Sequence, residues 1–318
     1  MFASQYWGEF AIVFGVAFGL AALITPLSSR IAFRWQIIDV PRGRHQHHTP
    51  TPKLGGLALY VAFTAAVIVA QLLNVPRFDP WEYVRLAGLL IGGLFIFVAG
   101  LLDDIFEFGP LPQYLSQIIA AAIAILFRIF IETLNNPFTS QQTDPWPFVV
   151  TVTLSLFWLG LMMNTVNWLD GVDGLAGGVA FVASAVLFFN AAFRLDPPQL
   201  SVSLLPLALM GATGGFLLFN FPPAKIFMGS NGAFFLGYTL GSLSVIGGAK
   251  SATILLAMGL PLLDVAWQII NRVMQGRNPT QGDRGHLHFR LMDAGLKKRL
   301  IVLGYYAFCA FFGGLALL

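Results

Sequence analysis

With 318 residues, 57% of them hydrophobic and only 10% charged, the chain is too apolar for a soluble domain, which carries about 25% charge. Its mean hydropathy of +0.74 and repeated apolar runs instead point to an α-helical membrane protein, since a bilayer core needs about 20 apolar residues per span. The formal net charge of +3 says little until it is mapped by side, and no nucleic-acid partner is expected. The single cysteine, Cys309, excludes an intrachain disulfide and reads as a buried inert thiol.

Ten apolar runs are predicted spans: 10–27, 54–73, 84–102, 114–131, 147–163, 175–193, 201–219, 232–248, 252–270 and 300–318. The first is long and has no basic segment before it, so a cleaved signal peptide is not expected. The gaps fall into two alternating classes. Gaps 28–53, 103–113, 164–174, 220–231 and 271–299 hold 13 of the 18 Lys and Arg. The excess of cations on the inner side makes this class cytoplasmic and puts both termini outside. Short connections argue for one domain, 1–318. The expected fold is all-α, a polytopic integral membrane protein with ten transmembrane helices.

The chemistry-bearing residues gather in the cytoplasmic gaps. Asp103-Asp104 ends the third span. Neighbours on a helix point about 100° apart, so one carboxylate can face a metal or proton while the other braces a neighbour. Two close carboxylates also raise each other's proton affinity. A pair of solvated charges at a helix end is the bland alternative.

Asn164, Asn167, Asp170 and Asp173 recur every three residues. On a helical turn or tight loop this spacing stacks oxygen donors on one face. Carboxylate and amide oxygens suit Mg²⁺, which takes one or two carboxylates plus substrate phosphate. The glycines at 171, 174, 177 and 178 let the backbone approach a ligand.

Two further gaps carry histidine. His45, His47 and His48 lie in a basic loop that ends in Thr-Pro-Thr-Pro-Lys53, where phosphate contact and a plain positive-inside loop compete. His286 and His288 share one face of an extended segment. No cysteine or third histidine at ligand spacing supports zinc. Placed beside Arg284 and Arg290, the pair better suits a diphosphate. Asp264 lies inside the ninth span, where a charge is costly. Helix packing against Arg272 or another cation, and a place in the site, both account for it.

These motifs occur in one order: Asp39-Val-Pro41 with Thr-Pro-Thr-Pro-Lys-Leu-Gly-Gly, Leu102-Asp103-Asp104, Asn164-x-x-Asn167-x-x-Asp170-Gly-x-Asp173-Gly, Phe219-Asn220-x-Pro222-Pro-Ala-Lys225-Ile-Phe-Met-Gly229 and His286-Leu-His288. In this the chain resembles the polyprenyl-phosphate N-acetylhexosamine-1-phosphate transferases from about residue 28 to 296. The His-Leu-His-Phe form is similar to the branch that starts teichoic acid, O-antigen or other surface polysaccharides. The peptidoglycan branch usually shows three consecutive histidines.

The resemblance implies a reaction and a site. A UDP-N-acetylhexosamine gives its sugar-1-phosphate to undecaprenyl phosphate in the membrane lipid, UMP leaves, and Mg²⁺ is required. Asp103 would deprotonate or orient the lipid phosphate, and Asp104 would support metal and phosphate. Asn167, Asp170 and Asp173 would bind metal and nucleotide, with Asn164 in the same motif. Phe227 would stack on uracil near Asn220. His286, His288 and Arg284 would contact the diphosphate.

Two residues depart from the family pattern. Ser230 stands where an aspartate that looks like a metal ligand is usual, and Gln113 where Lys or Arg is common. The metal site loses one anion, so weak Mg²⁺ affinity or a preference for Mn²⁺ is expected. A catalytically impaired, binding-only homologue is the first alternative. A transporter is the second, but apart from Asp264 the spans hold few polar residues. A homodimer is compatible with the chain.

Overall fold

A computed structural model describes residues 5–40, 50–133, 143–195, 197–246, 251–276 and 285–318, excepting the side chains of 251 and 252. Twelve α-helices follow in chain order: α1 (Trp7–Arg34), α2 (Gly55–Leu72), α3 (Glu82–Phe106), α4 (Pro110–Leu126), α5 (Phe148–Leu169), α6 (Leu175–Phe189), α7 (Leu200–Asn220), α8 (Gly229–Val245), α9 (Ser251–Ala257), α10 (Gly259–Met274), α11 (Leu287–Asp293) and α12 (Lys298–Leu315). A π turn, Asn190–Arg194, prolongs α6. Between α1 and α2 lies a two-stranded antiparallel pair, β1 (Ile38–Asp39) and β2 (Thr51–Pro52), pairing Ile38 with Pro52 and Asp39 with Thr51. It is a small departure from the all-α expectation. Pro52 biases Thr51 toward extended backbone, which suits a strand better than a helix.

Every predicted span contains helix, but not as ten uninterrupted rods. Among the described residues seven helices are long and apolar enough to cross a membrane: α1, α2, α3, α5, α6 with its π turn, α7 and α12. Helix α4 has 17 residues, about 25 Å at 1.5 Å per residue and short of a hydrocarbon core about 30 Å thick. Helix α8, also of 17 residues, is buried along nearly its whole length. The ninth predicted span is corrected to two helices, α9 and α10, which meet at Met258. Pro261 is the reason: in the first turn of α10 its missing N–H costs nothing, whereas inside one long helix it would break a backbone bond.

Helix α8 is the central post, packed against α2, α3 and α5, and α7 packs against α1, α2 and α6. Small residues allow the close crossings typical of membrane bundles. A Cβ on Gly100 would lie 2.6 Å from the Cα of Asn231, so only glycine lets α3 meet the start of α8. That contact brings Asp104 to the first turn of α8. Side-chain bonds pin the same post: the Tyr238 hydroxyl donates to the Gly88 carbonyl at 2.8 Å, and Trp158 Nε1 to the Gly241 carbonyl at 3.2 Å. Outward faces carry apolar residues such as Leu23, Leu72, Leu126, Phe148 and Phe157, all exposed.

Residues in the second class of gaps and at the adjoining span ends meet one another. Arg85 Nε donates to the Arg128 carbonyl at 3.1 Å, Arg128 lies 3.7 Å over the Trp81 ring, and Ser201 donates to Glu82 at 2.8 Å. Residues from the first class line the cleft described next.

Candidate active site

A cleft of about 380 Å³ opens between the ends of α3, α5, α8 and α12. Asp104 enters from α3; Asn167, Asp170 and Asp173 come from the end of α5 and the turn that follows. Phe227 and Ser230 arrive from the α7–α8 connection and the first turn of α8. Asp39 and Lys53 come from the β pair and its exit, Phe289 from α11 and Lys298 from α12.

Asp104 is held by the helix it faces. Its Oδ1 accepts the Ser230 N–H at 3.0 Å, and its Oδ2 accepts the Asn231 N–H at 2.9 Å and Asn231 Nδ2 at 2.5 Å. The carboxylate thus satisfies the free N–H groups of the α8 N-terminus, where negative charge is favoured. Asp103 points elsewhere, as the 100° offset predicts. It is buried, accepts Gln113 Nε2 at 2.9 Å, and lines a separate, mostly apolar pocket of about 200 Å³ with Phe95, Leu102 and Phe108.

The triplet motif divides. Asn167, Asp170 and Asp173 line the cleft, but Asn164 does not. Its amide instead donates to Gln117 Oε1 at 2.6 Å and to the Gly160 carbonyl at 2.8 Å. The reason is helical drift: three residues turn a helix by about 300°, so each step slips about 60° and the first member leaves the shared face. Asp173 reaches the cleft because Gly174, at φ +74°, ends the turn and starts α6. Its Oδ2 accepts the Ala224 N–H at 3.2 Å and lies 3.7 Å from Lys298 Nζ.

Asn220 borders the cleft, but both ends of its amide are occupied. Oδ1 accepts the Gly174 N–H at 3.0 Å and Nδ2 donates to the Ile226 carbonyl at 2.8 Å. It ties the acidic turn to the segment carrying Phe227. That segment is also clamped by β2 and its exit, since Phe227 N–H donates to the Pro52 carbonyl and Gly55 N–H to the Phe227 carbonyl.

Electrostatics make the cleft a place for a cation. Four carboxylates face two lysines among its described lining residues. Burial raises the Asp170 carboxyl well above the usual range; the charge of Asp104 raises it further and that of Asp173 adds to this, against the Gly229 N–H and Lys53. The donors are hard oxygens, which fit Mg²⁺. Among the described residues no three acidic or histidine side chains could enclose an ion by themselves. A metal here would therefore complete its shell with water and substrate phosphate, as Mg²⁺ usually does.

Neither His286 nor His288 lines the cleft. His286 is buried, and its Nδ1 lies 2.9 Å from Asp264 Oδ2. Asp264 is therefore paired with this imidazole; Arg272 instead lies 5.6 Å over the Trp168 ring. His288 is fully buried, neither ring nitrogen has a partner among the described residues, and its ring packs 4.3 Å from Phe289. Arg284 and the residues His45, His47 and His48 lie outside the described residues.

Burial pushes the His288 imidazole down to about 4; His286 adds to this and Asp264 opposes it. The unfolded imidazole titrates near 6.5. Between those values the unfolded chain holds more protons, so stability falls as pH drops from about 6.5 to 4, by up to ~3 kcal/mol. The thermal midpoint of the detergent-purified protein is expected to fall across that window, and His288→Phe to flatten the fall. An unaltered profile in the variant would assign the loss to another group.

The two departures sit on opposite sides of the aspartate pair. Ser230 lines the cleft beside Asp104, whereas Gln113 bonds Asp103 in the other pocket. Ser230→Asp is expected to add a carboxylate beside Asp104 and lower the Mg²⁺ concentration at half-maximal rate by about tenfold. Gln113→Lys tests coupling: a double variant that exceeds the sum of the singles shows the two losses to be linked. Unchanged Mg²⁺ dependence in Ser230→Asp would show that other oxygens already complete the site.

Lys298, Phe289 and Asp39 are cleft residues that sequence reasoning did not select. Lys298 lies in the run Lys297-Lys298-Arg299, whose charge the positive-inside rule already explains. Phe289 had a signal in the His-Leu-His-Phe string, and Asp39 in the motif it opens.

Comparison with known proteins agrees with the motif reading. The sequence profile of glycosyl transferase family 4 matches residues 86–248. The chain is 30% identical to a probable undecaprenyl-phosphate N-acetylglucosaminyl 1-phosphate transferase of Bacillus subtilis, over 93% of this chain and 80% of that protein. It is 32% identical to a decaprenyl-phosphate N-acetylglucosaminephosphotransferase of Mycolicibacterium smegmatis, over 90% and 77%. It is also 32% identical to a phospho-N-acetylmuramoyl-pentapeptide-transferase of Listeria monocytogenes, over 74% of each. With its motif order, its acidic cleft at the helix ends and these relatives, the chain belongs to glycosyl transferase family 4 and is a membrane phosphoglycosyltransferase of that family.

Proposed function

We propose that the protein transfers N-acetylhexosamine-1-phosphate, with GlcNAc-1-phosphate the preferred group, from a UDP-sugar to undecaprenyl phosphate, releasing UMP. This would be the first membrane step of a cell-envelope polysaccharide. The observation that carries the reading is one cleft holding Asp104, Asn167, Asp170 and Asp173 beside the ring of Phe227. Oxygen donors for a metal-bound diphosphate and an aromatic face for a base are what a nucleotide-sugar donor needs. The names of the Bacillus and Mycolicibacterium relatives support a polyprenyl phosphate acceptor and a GlcNAc-phosphate group.

Atoms balance simply. An oxygen of the lipid phosphate bonds to the β-phosphorus of the UDP-sugar, the bond from that phosphorus to the bridging oxygen breaks, and UMP leaves with that oxygen. Mg²⁺, or Mn²⁺ in its place, supplies charge neutralisation on the diphosphate when bound; Asp104, Asn167 and Asp173 would hold it. Asp170 adds a buried oxygen donor beside them. Lys53 and Lys298 offset phosphate charge at the rim, and Phe227 stacks on uracil. Asn220 serves by holding the Phe227 segment. Asp103, behind the cleft, is held by Gln113 and shares the end of α3 with Asp104. His286 and His288 act from below the cleft, through Phe289 and the Gly171 turn.

In this reading the chain makes ten crossings of the cytoplasmic membrane with both termini outside, and the cleft faces the cytoplasm. The lysine and arginine excess in the gaps that feed the cleft supports it. The test is to incubate membranes containing the protein with labelled UDP-sugars, undecaprenyl phosphate and Mg²⁺. A butanol-soluble labelled product, lost on chelation of the metal, is expected. Sugar-nucleotide binding with no product from any UDP-sugar would favour the binding-only alternative.

A further inference from the structure

Asp264 is a buried carboxylate that the transfer scheme does not use. Its side chain is only 7% exposed, and both oxygens are committed to the segment before α11. Oδ2 meets His286 Nδ1 at 2.9 Å, and Oδ1 accepts the Leu287 N–H at 2.9 Å. One turn further along α10, on the same face, buried Gln268 donates to the Gly285 carbonyl. Three consecutive residues, Gly285 to Leu287, are thus gripped by one helix.

The grip reaches the cleft through rings. His286 stacks parallel to His288, with centroids 5.6 Å apart and planes 5° apart, and lies 5.5 Å from Trp168, the neighbour of Asn167. His288 and Phe289 close over Gly171: a Cβ there would meet Phe289 Cζ at 2.9 Å and His288 Nε2 at 3.5 Å. Gly171 and Phe289 are themselves cleft wall.

We infer that Asp264 is a positioning residue for the transfer reaction: it fixes the proton of His286 on Nδ1 and locks the imidazole pair and Phe289 against the turn that carries Asp170 and Asp173. An ionised carboxylate only accepts, so the nitrogen facing it must be the donor. An amide at 264 can still accept the Leu287 N–H, but its NH₂ group would then face Nδ1 and move the imidazole proton to Nε2. Asp264→Asn therefore separates tautomer control from helix capping. The inference rests on the transferase reading for its kinetic part.

The experiment uses the full chain in detergent or membranes, with wild type, Asp264→Asn, Asp264→Ala, His286→Gln and the Asp264→Asn/His286→Gln double variant. Asp264→Asn is expected to keep the thermal midpoint and the KM for UDP-sugar while kcat falls about 10- to 100-fold, the range of a lost orienting partner. In the His286→Gln background the same change is expected to have no further effect on kcat. Asp264→Ala, which loses the Leu287 cap as well, should also melt earlier. A kcat in Asp264→Asn equal to wild type, or an additive effect in the double variant, would overturn the inference and leave a structural clamp only. Nitrogen-15 spectra of the imidazoles, with His286 assigned by its loss in His286→Gln, give a readout free of activity. They should show Nδ1–H in wild type and Nε2–H in Asp264→Asn, and an Nε2–H wild type would overturn the inference as well. Should wild type transfer no sugar phosphate, the transferase reading falls, while the spectra still decide what Asp264 does to His286.

Discussion

Asp173→Asn is expected to lower transfer by about 100-fold or more while the protein still folds and reaches the membrane. The physical argument is charge at constant shape. Asp173 accepts the Ala224 N–H and lies 3.7 Å from Lys298, and in the proposed reaction it is one of the three residues that would hold the divalent cation. An asparagine keeps the size and one acceptor oxygen, so the turn between α5 and α6 survives. What goes is one full negative charge among hard ligands, where Mg²⁺ relies on carboxylates. The measurement is product formed per folded protein at saturating Mg²⁺. Near-normal turnover would take Asp173 out of the metal and phosphate machinery and leave it as a loop residue.

Gly229→Ala is expected to damage the site as severely without touching a charge. Gly229 has φ +74°, a backbone conformation that costs other residues about 1 kcal/mol or more. A Cβ there would also lie 2.5 Å from the Lys53 carbonyl and 2.7 Å from Asp104 Oδ2. Neither neighbour yields cheaply, because the Lys53 carbonyl accepts Asn231 Nδ2 and Asp104 caps α8. Overpacking of this kind costs ~1–3 kcal/mol. Asp104 must shift, so activity should drop at least tenfold and the thermal midpoint by several degrees. Gly276→Ala is the control: it has φ +65° but nothing within 4 Å of the added carbon, so it should cost only the backbone strain and spare activity. Equal activity in Gly229→Ala and wild type would mean that the placement of Asp104 at α8 is not required.

The two variants probe what was legible in the chain in different ways. The helices were legible because a membrane span is apolar on all faces and long, a signal that needs no partner. The break in the ninth span was less so: Pro261 lies midway along that predicted span, and a proline is tolerated or disruptive depending on where the helix begins, which is set by packing. The carboxylates of the cleft were legible because acids and amides between apolar spans have few other uses. Asn164 was misplaced by treating a three-residue repeat as a fixed face, when it drifts by about 60° per step. The Asp264–His286 pair was hidden for another reason. Twenty-two residues separate its members, and nothing in either local sequence says which of several partners the fold will choose. Lys298 was hidden in a basic run that the positive-inside rule already explained. Asn220, placed near Phe227 by its motif, does border the cleft, and its amide is spent there on two backbone bonds.

The central claim is that a sugar phosphate, and not the sugar alone, moves to the lipid. UDP-GlcNAc carrying its radiolabel in the β-phosphate decides it, with undecaprenyl phosphate as acceptor and Mg²⁺ present. The β-label is expected to follow the sugar into the butanol phase, with unlabelled UMP the released nucleotide. Label recovered in aqueous UDP, with the lipid carrying sugar and no β-phosphate, would contradict it.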